Sequence, residues 1–185
     1  MRLLLTGAGG FVGGHFVDFL RAEQSSVEIH GVVLPLGGVS WRAASGARVV
    51  EADLDDPAAA ASVVEEVRPD RIVHLAGQSS VHQSWRDPGG TLRTNVLAIV
   101  HLLDAARRCG LRPDVLVVGS AEEYGAVLPG ELPIRESVPL RPASPYAVSK
   151  VAQGALALLY GPAGGMRVVL TRTFHHTGPG RGEAF

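Results

Sequence analysis

The sequence predicts an α/β fold, a doubly wound parallel sheet with helices on both faces. Three observations predict it. Short apolar runs such as Leu3-Leu4-Leu5 and Val115-Leu116-Val117-Val118 recur along the chain and read as buried parallel strands. Segments with apolar residues at helical spacing separate these runs. The first run leads at once into Thr6-Gly7-Ala8-Gly9-Gly10-Phe11-Val12-Gly13, a glycine turn between strand and helix. Repeated β-α alternation implies right-handed crossovers and the strand order 3-2-1-4-5-6.

The first strand, at Leu3-Leu4-Leu5, feeds a helix on which Phe11, Val12, Phe16, Val17, Phe19 and Leu20 recur at helical spacing. In such a unit Gly7 permits the tight turn and Gly10 leaves room for a pyrophosphate against the backbone. Gly13 lets the helix close on the strand, and unpaired N–H groups at the helix start face the phosphates. A chance glycine-rich turn is the alternative, but the flanking strand and helix favour dinucleotide binding. Residues 27–34 form the second strand, broken by Pro35-Leu36-Gly37-Gly38. An NAD-specific fold carries Asp or Glu near this strand end, for the ribose 2′-hydroxyl. Leu34 and Pro35 stand there instead. Arg42 lies downstream and either meets a 2′-phosphate or is a solvated surface arginine, so the cofactor is NAD(P), leaning to NADP. A third strand at 48–50 precedes Asp53, and Asp55 and Asp56 are placed to cap a helix over 57–68 that starts with Pro57. The fourth strand occupies 71–77 and runs into another glycine turn.

Residues 91–108 predict a long helix that is apolar nearly all round, and 146–160 predict a second of the same kind. One sheet covers one face of each. The other faces are expected to pair in a homodimer, the alternative being cover from further chain. The fifth strand, 115–119, ends at Ser120. A proline-rich loop over 121–143 follows, of a length that is usually functional, and the sixth strand is 166–171.

Ser144 and Pro145 open the second of these helices, and Tyr146 and Lys150 share one face of it, four residues apart. A free tyrosine ionises near pH ~10 and is a poor acid-base group at neutrality. A nearby ammonium favours its phenolate, so the pairing predicts an active tyrosine whose pKa Lys150 lowers. Ser120, at a strand end where open α/β sheets bind ligands, is placed to hydrogen-bond the same substrate oxygen. Lys150 would also hold the cofactor ribose.

The bulk composition excludes several classes. The net charge of −1 gives no electrostatic case for nucleic acid or an anionic membrane. No apolar span approaches membrane length. Cys109 is the single cysteine, which fits a reducing cytoplasm. The His175-His176 pair has no metal spacing with any partner, so no metal is expected. At 185 residues, 46% hydrophobic, the chain is expected to form one domain over 1–185.

These residues carry a family resemblance. The set Thr6-Gly7…Gly10…Gly13, His74-Leu75-Ala76-Gly77-Gln78-Ser79-Ser80-Val81, Ser84-Trp85, Thr94-Asn95, Ser120-Ala121-Glu122-Glu123-Tyr124-Gly125, Pro139-Leu140-Arg141-Pro142-Ala143-Ser144-Pro145-Tyr146 and Arg172-Thr173-Phe174 resembles the extended short-chain dehydrogenases/reductases. It is similar to their sugar-nucleotide epimerase/dehydratase group, and within it to the GDP-4-dehydro-6-deoxy-D-mannose reductases. Phe11-Val12 and Thr177-Gly178-Pro179-Gly180 stand where the GDP-mannose 4,6-dehydratases usually have Gln-Asp and Ser-Pro-Arg-Arg. The resemblance implies a Rossmann-like NAD(P)-binding domain with Ser120, Tyr146, Lys150 and Glu122 as catalytic residues. It implies cofactor contacts at Gly7, Gly10, Phe11, Val12, Gly13, Asp53 (to the adenine), Leu54, Leu75, Ala76, Gly77, Tyr146, Lys150 and Arg42. It implies a GDP-linked sugar held by Gln78, Ser79, Ser120, Glu122, His175 and Arg181. His175 departs from the Asn usual there. Glu122 serves dehydration in the dehydratases, yet reductases also carry it, so reduction, 4,6-dehydration and epimerisation stay open. Family members continue into a C-terminal portion with an Arg-Asp-Phe-x-Asp-Val motif, which residues 1–185 do not contain. A domain without most of its substrate-binding part is therefore expected, with a non-catalytic dinucleotide-binding module as the alternative of another class.

Overall fold

Leu3, Leu4 and Leu5 are 4%, 0% and 0% exposed, so β1 (Arg2–Thr6) is buried on both faces, as a central parallel strand must be. The computed structural model describes residues 1–23, 26–35 and 47–180. The remaining strands are β2 (Glu28–Val33), β3 (Arg48–Glu51), β4 (Arg71–His74), β5 (Asp114–Ser120) and β6 (Arg167–Thr173). All pair in parallel, in the predicted order β3-β2-β1-β4-β5-β6. The order reverses between β1 and β4, and that switch point fixes where a ligand crevice opens.

Alternation along β1 divides the core. Leu3 and Leu5 join Val73 and the Val17 and Leu20 side chains of α1 (Phe11–Glu23) on one face. Leu4 joins Ile72, Val115 and Val117 on the other, beneath α2 (Pro57–Val67), α5 (Ala98–Arg108) and α6 (Pro145–Gly164). Local signals set the helix ends. Asp56 accepts the Ala58 N–H at 2.9 Å ahead of Pro57, and Ser144 accepts that of Ala147 at 3.1 Å ahead of Pro145. Arg68 ends α2 at φ 45, and Gly165 ends α6 at φ 67. On the α1 face the far side of the sheet is only partly covered, with Val169 of β6 51% exposed.

The helix expected over 91–108 is a longer, broken path. α3 (Val81–Arg86) and α4 (Pro88–Leu92) precede it, and Arg93–Leu97 form a π-helical turn before α5. The short α3 and α4 escape a periodicity argument because each offers only about one turn. The ground for expecting α5 to face a second copy is also corrected. Its Ile99, Leu102, Leu103, Ala105 and Ala106 are 0–1% exposed within the chain, because α2 and α6 pack beside it on the same sheet face. No helix among the described residues is long and apolar enough to cross a membrane.

Leu103→Ala therefore opens a cavity inside the monomer. Denaturant unfolding should show a loss of about 2–5 kcal/mol; an unchanged midpoint would mean that this face of α5 is not covered by its own chain.

Candidate active site

The site grows from the carboxyl ends of β1 and β4. Thr6 Oγ1 lies 2.8 Å from His74 Nδ1 and accepts the Ala76 N–H at 3.1 Å, tying the two strand ends together. Beyond Thr6 the chain turns sharply at Gly7 (φ 68), where a Cβ would sit 2.7 Å from Ala76 N. Gly13 is equally constrained, since a Cβ there would lie 2.4 Å from the Gly7 carbonyl oxygen. Gly10 differs. A Cβ there meets only the Gly7 oxygen, at 3.2 Å, and its other side opens on a cleft of about 490 Å³.

Gly7, Gly9 and Gly10 form the floor of that cleft. Val32, Val33 and Leu34 form one wall with Ala52, Asp53 and Leu54, and Leu75, Ala76, Gly77 and Gln78 form the other. Of the predicted cofactor contacts, the structure thus gathers Gly7, Gly10, Asp53, Leu54, Leu75, Ala76 and Gly77. Gly13 is buried beneath the turn. Phe11 and Val12 open α1 without lining the cleft; the Phe11 ring stands edge-on to His15, whose Nε2 lies 2.9 Å from the Pro179 carbonyl oxygen. Arg42 and Arg181 lie outside the described residues.

A buried asparagine joins the cleft to the other half of the site. Asn95, 0% exposed in the π-helical turn, accepts the Gln78 N–H at 2.7 Å and donates to the Gln78 carbonyl at 3.0 Å. It also donates to Ser149 Oγ at 2.8 Å on α6. Sequence reasoning missed Asn95 as a site residue. The signal was a polar side chain on the apolar stripe that continues through Ile99 and Leu102. Gln78 itself is turned inward: its amide nitrogen donates to the Ser80 carbonyl at 2.9 Å and to Thr91 Oγ1 at 3.1 Å, and its oxygen takes the Ser80 N–H. Its side chain holds the loop, while Ser79 is exposed beside it.

Ser120, Tyr146 and Lys150 are 9%, 8% and 8% exposed, so three of the four predicted catalytic groups are buried. Ser120 ends β5 and accepts the Glu122 N–H at 3.2 Å, and Glu122 is exposed. Glu123, missed by the sequence reading, is buried beneath them. It accepts the Ser120 N–H at 2.8 Å and pairs with Arg172 Nε of β6 at 2.9 Å. The Arg172 guanidinium also lies 5.3 Å above the Tyr124 ring. His175 and His176 are exposed, and no metal-ligand cluster occurs among the described residues.

The electrostatics depart from expectation. Burial raises the Tyr146 phenol above its ordinary value, and Glu122 and Glu123 add to the rise while the Ser120 hydroxyl opposes it. Lys150 was expected to lower Tyr146, but in the chain alone its ammonium donates to the Val118 carbonyl and the Gln153 amide oxygen. Burial brings Lys150 down to about 8, with Glu123 opposing. Burial, then the charge of Lys150, brings His74 to about 3, so that ring is neutral at working pH.

A family model described as GDP-mannose 4,6 dehydratase matches residues 4–185. GDP-6-deoxy-D-mannose reductase of Pseudomonas aeruginosa is 36% identical over 184 residues, covering 100% of this chain and 55% of that protein. The solved structure of RMD from Pseudomonas aeruginosa complexed with NADPH superposes with a TM-score of 0.84 at 35% identity, over 100% of this chain and 58% of its own. That of Thermus thermophilus UDP-glucose 4-epimerase in complex with NAD gives 0.88 at 33% identity, over 100% and 59%. The chain spans about half the length of these relatives.

The glycines make a paired prediction. Gly10→Val should fold with a cooperative transition and fail to bind a nicotinamide dinucleotide in a fluorescence titration, because its side chain enters the cleft. Gly13→Val should not fold, because its Cβ overlaps the Gly7 carbonyl. Unchanged dinucleotide affinity in folded Gly10→Val would contradict the assignment of the cleft.

Proposed function

The chain belongs to the GDP-mannose 4,6-dehydratase family, and on that premise we propose that it binds a nicotinamide dinucleotide and reduces a GDP-linked 4-keto-6-deoxy sugar. The observation that carries this reading is the approach of Lys150 to the cleft rim. The glycine turn opens on a cleft at the switch point, and Lys150 Nζ lies 3.6 Å from where a Cβ on Gly77, at the cleft rim, would sit. The cradle fits the cofactor: Gly9 and Gly10 leave the backbone bare toward the cleft, and the first N–H groups of α1 have no intrahelical partner. Asp53 is at the adenine end. β2 ends at Val33 and is followed by Leu34 and Pro35, with no carboxylate there to repel a 2′-phosphate, which supports NADP over NAD. The solved structure of RMD from Pseudomonas aeruginosa is complexed with NADPH.

The bound dinucleotide supplies the hydride. The chain's own residues handle the proton and the geometry. A phenol raised above its ordinary value keeps its proton at neutral pH, the form required of an acid. Tyr146 thus donates to the C4 oxygen as that carbonyl becomes a hydroxyl. Ser120 hydrogen-bonds the same oxygen, and Lys150 grips the ribose. Ser79 and His175, both exposed, face the sugar nucleotide in this reading, with Gln78 supporting the loop between them and the cleft.

A second reading, 4,6-dehydration, has one observation in its favour. Glu122 is exposed beside Ser120, where a carboxylate can move the C5 proton and assist loss of the C6 hydroxyl. Phe11-Val12 in the glycine loop and the Thr177-Gly178-Pro179-Gly180 run favour reduction over it. Epimerisation is the third chemistry of the group. We also propose a homodimer through the 91–108 and 146–160 segments, supported by exposed Leu92, Leu97, Leu156, Leu158 and Leu159. The single Cys109 supports a cytoplasmic location.

Oxidation of NADPH that requires a GDP-4-keto-6-deoxy sugar is the expected result. Formation of a 4-keto product from GDP-mannose without net cofactor oxidation would overturn reduction in favour of dehydration, and cofactor binding with neither would leave a binding module. Tyr146→Phe should lower single-turnover NADPH oxidation by about 10²–10⁴ while leaving NADPH affinity intact. Because the ribose contact needs an ammonium, NADPH affinity should fall as pH rises through about 8, and Lys150→Met should remove that dependence. A flat profile in the unmodified chain would contradict the role of Lys150.

A further inference from the structure

An ammonium has three protons to place. Lys150 places one on the Val118 carbonyl of β5 at 3.1 Å and a second on Gln153 Oε1 at 2.9 Å. Gln153 sits three residues along α6 and is 0% exposed. Its amide nitrogen has no hydrogen-bond partner among the described residues. A buried, half-satisfied amide is unfavourable, and leucine would pack at lower cost. What the position supplies is therefore the amide oxygen. The oxygen must be the atom facing Lys150, because the –NH2 end would set donor against donor.

We propose that Gln153 is a positioning residue for Lys150. Its amide oxygen and the Val118 carbonyl take two of the ammonium's protons and aim the third at the Gly77 rim of the cleft, toward the ribose hydroxyls of the dinucleotide. Lys150 Nζ lies 3.6 Å from the point a Cβ on Gly77 would occupy, so the remaining proton has that rim within reach. This inference rests on the reading that Lys150 grips the cofactor.

The choice of an amide has a chemical consequence. A glutamate would hold the ammonium more strongly, but it would fix the charge and pull Nζ away from the rim. An amide accepts from the ammonium without adding charge, and when rotated it donates to the neutral amine, so it holds Lys150 in both states. The other groups facing Lys150 do not duplicate this. Glu123, from the turn after β5, is committed to the Ser120 N–H and Arg172. His74, on β4, is neutral, and Tyr146, on α6 itself, carries its proton.

Lys150 is the only lysine in the chain, which gives the proposal a readout independent of catalysis. Protein labelled with 13C at the lysine ε carbon shows one side-chain resonance, whose pH titration reports this residue alone. The midpoint should lie near 8 in the unmodified chain. It should rise by about one unit or more in Gln153→Glu and fall by about one unit in Gln153→Leu. The NADPH Kd of Gln153→Leu should rise at least about tenfold, the scale of one lost charge-assisted hydrogen bond, and Gln153→Asn should not restore it, because its shorter reach cannot meet Nζ. Should Gln153→Leu fail to fold, Gln153→Met keeps the length and removes the acceptor. Identical titrations in the unmodified, Gln153→Glu and acceptor-free proteins overturn the proposal. If the unmodified chain binds no NADPH, the cleft reading fails by itself, and the lysine titration still decides whether Gln153 holds Lys150.

Discussion

Everything in this structure depends on how closely the backbone of the first turn approaches its neighbours. The Gly7 carbonyl oxygen lies where a Cβ on Gly13 would be, and Gly7 itself leaves no room for a side chain against Leu75 and Ala76. These contacts hold α1 against β1 and β4 at the point where strand order reverses. Ala8 N–H adds a third tether, to the Val32 carbonyl at 3.2 Å on β2. With three strands and one helix drawn together, the turns after β1 and β4 part at the switch point, and Ala52–Leu54 after β3 close the third side. The cleft is the space they enclose, and Gly10 is the glycine of the motif whose Cβ position has room beside it.

The second half of the site is set by polar groups taken out of water. Asn95 joins the loop after β4 to α6 through Gln78 and Ser149, so the helix bearing Tyr146 and Lys150 keeps a fixed distance from the cleft. The π-helical turn at Arg93–Leu97 is what carries Asn95 into this position, with Thr94 donating to Asp55 at 3.0 Å on its other side. Glu123 and Arg172 brace β5 against β6 under Ser120 in the same way. Buried pairs of this kind contribute little net stability and are weak evidence for it; their effect is to hold the Ser120 backbone in one place.

Much of this was legible in the sequence because its signals are local. Apolar runs gave the six strands and their order, Ser144-Pro145 and Asp56-Pro57 gave helix starts, and the glycine spacing gave the turn. Tyr146 and Lys150 follow from spacing of four on a helix. The parts that were not legible depend on tertiary contact. α3 and α4 are too short for periodicity to register, and Thr91 through Leu97 carry the same apolar pattern whether the turn is α or π. The cover on Leu103 comes from α2, some forty residues earlier in the chain, so nothing in its own segment announces it. The Tyr146 shift had the wrong sign because proximity in sequence suggested an ammonium partner. Burial decides the matter, along with the carboxylates of Glu122 and Glu123, which another loop brings in.

We propose that the cleft at the β1–β4 switch point is a dinucleotide site. Amide chemical-shift mapping of the 15N-labelled chain during an NADPH titration tests it most directly. Saturable shifts should concentrate at the backbone of Gly9 through Val12, at Asp53 and Leu54, and at Leu75 through Gln78, the three segments that enclose the cleft. Saturable shifts confined to other surfaces, or none at all with folded protein, would contradict it.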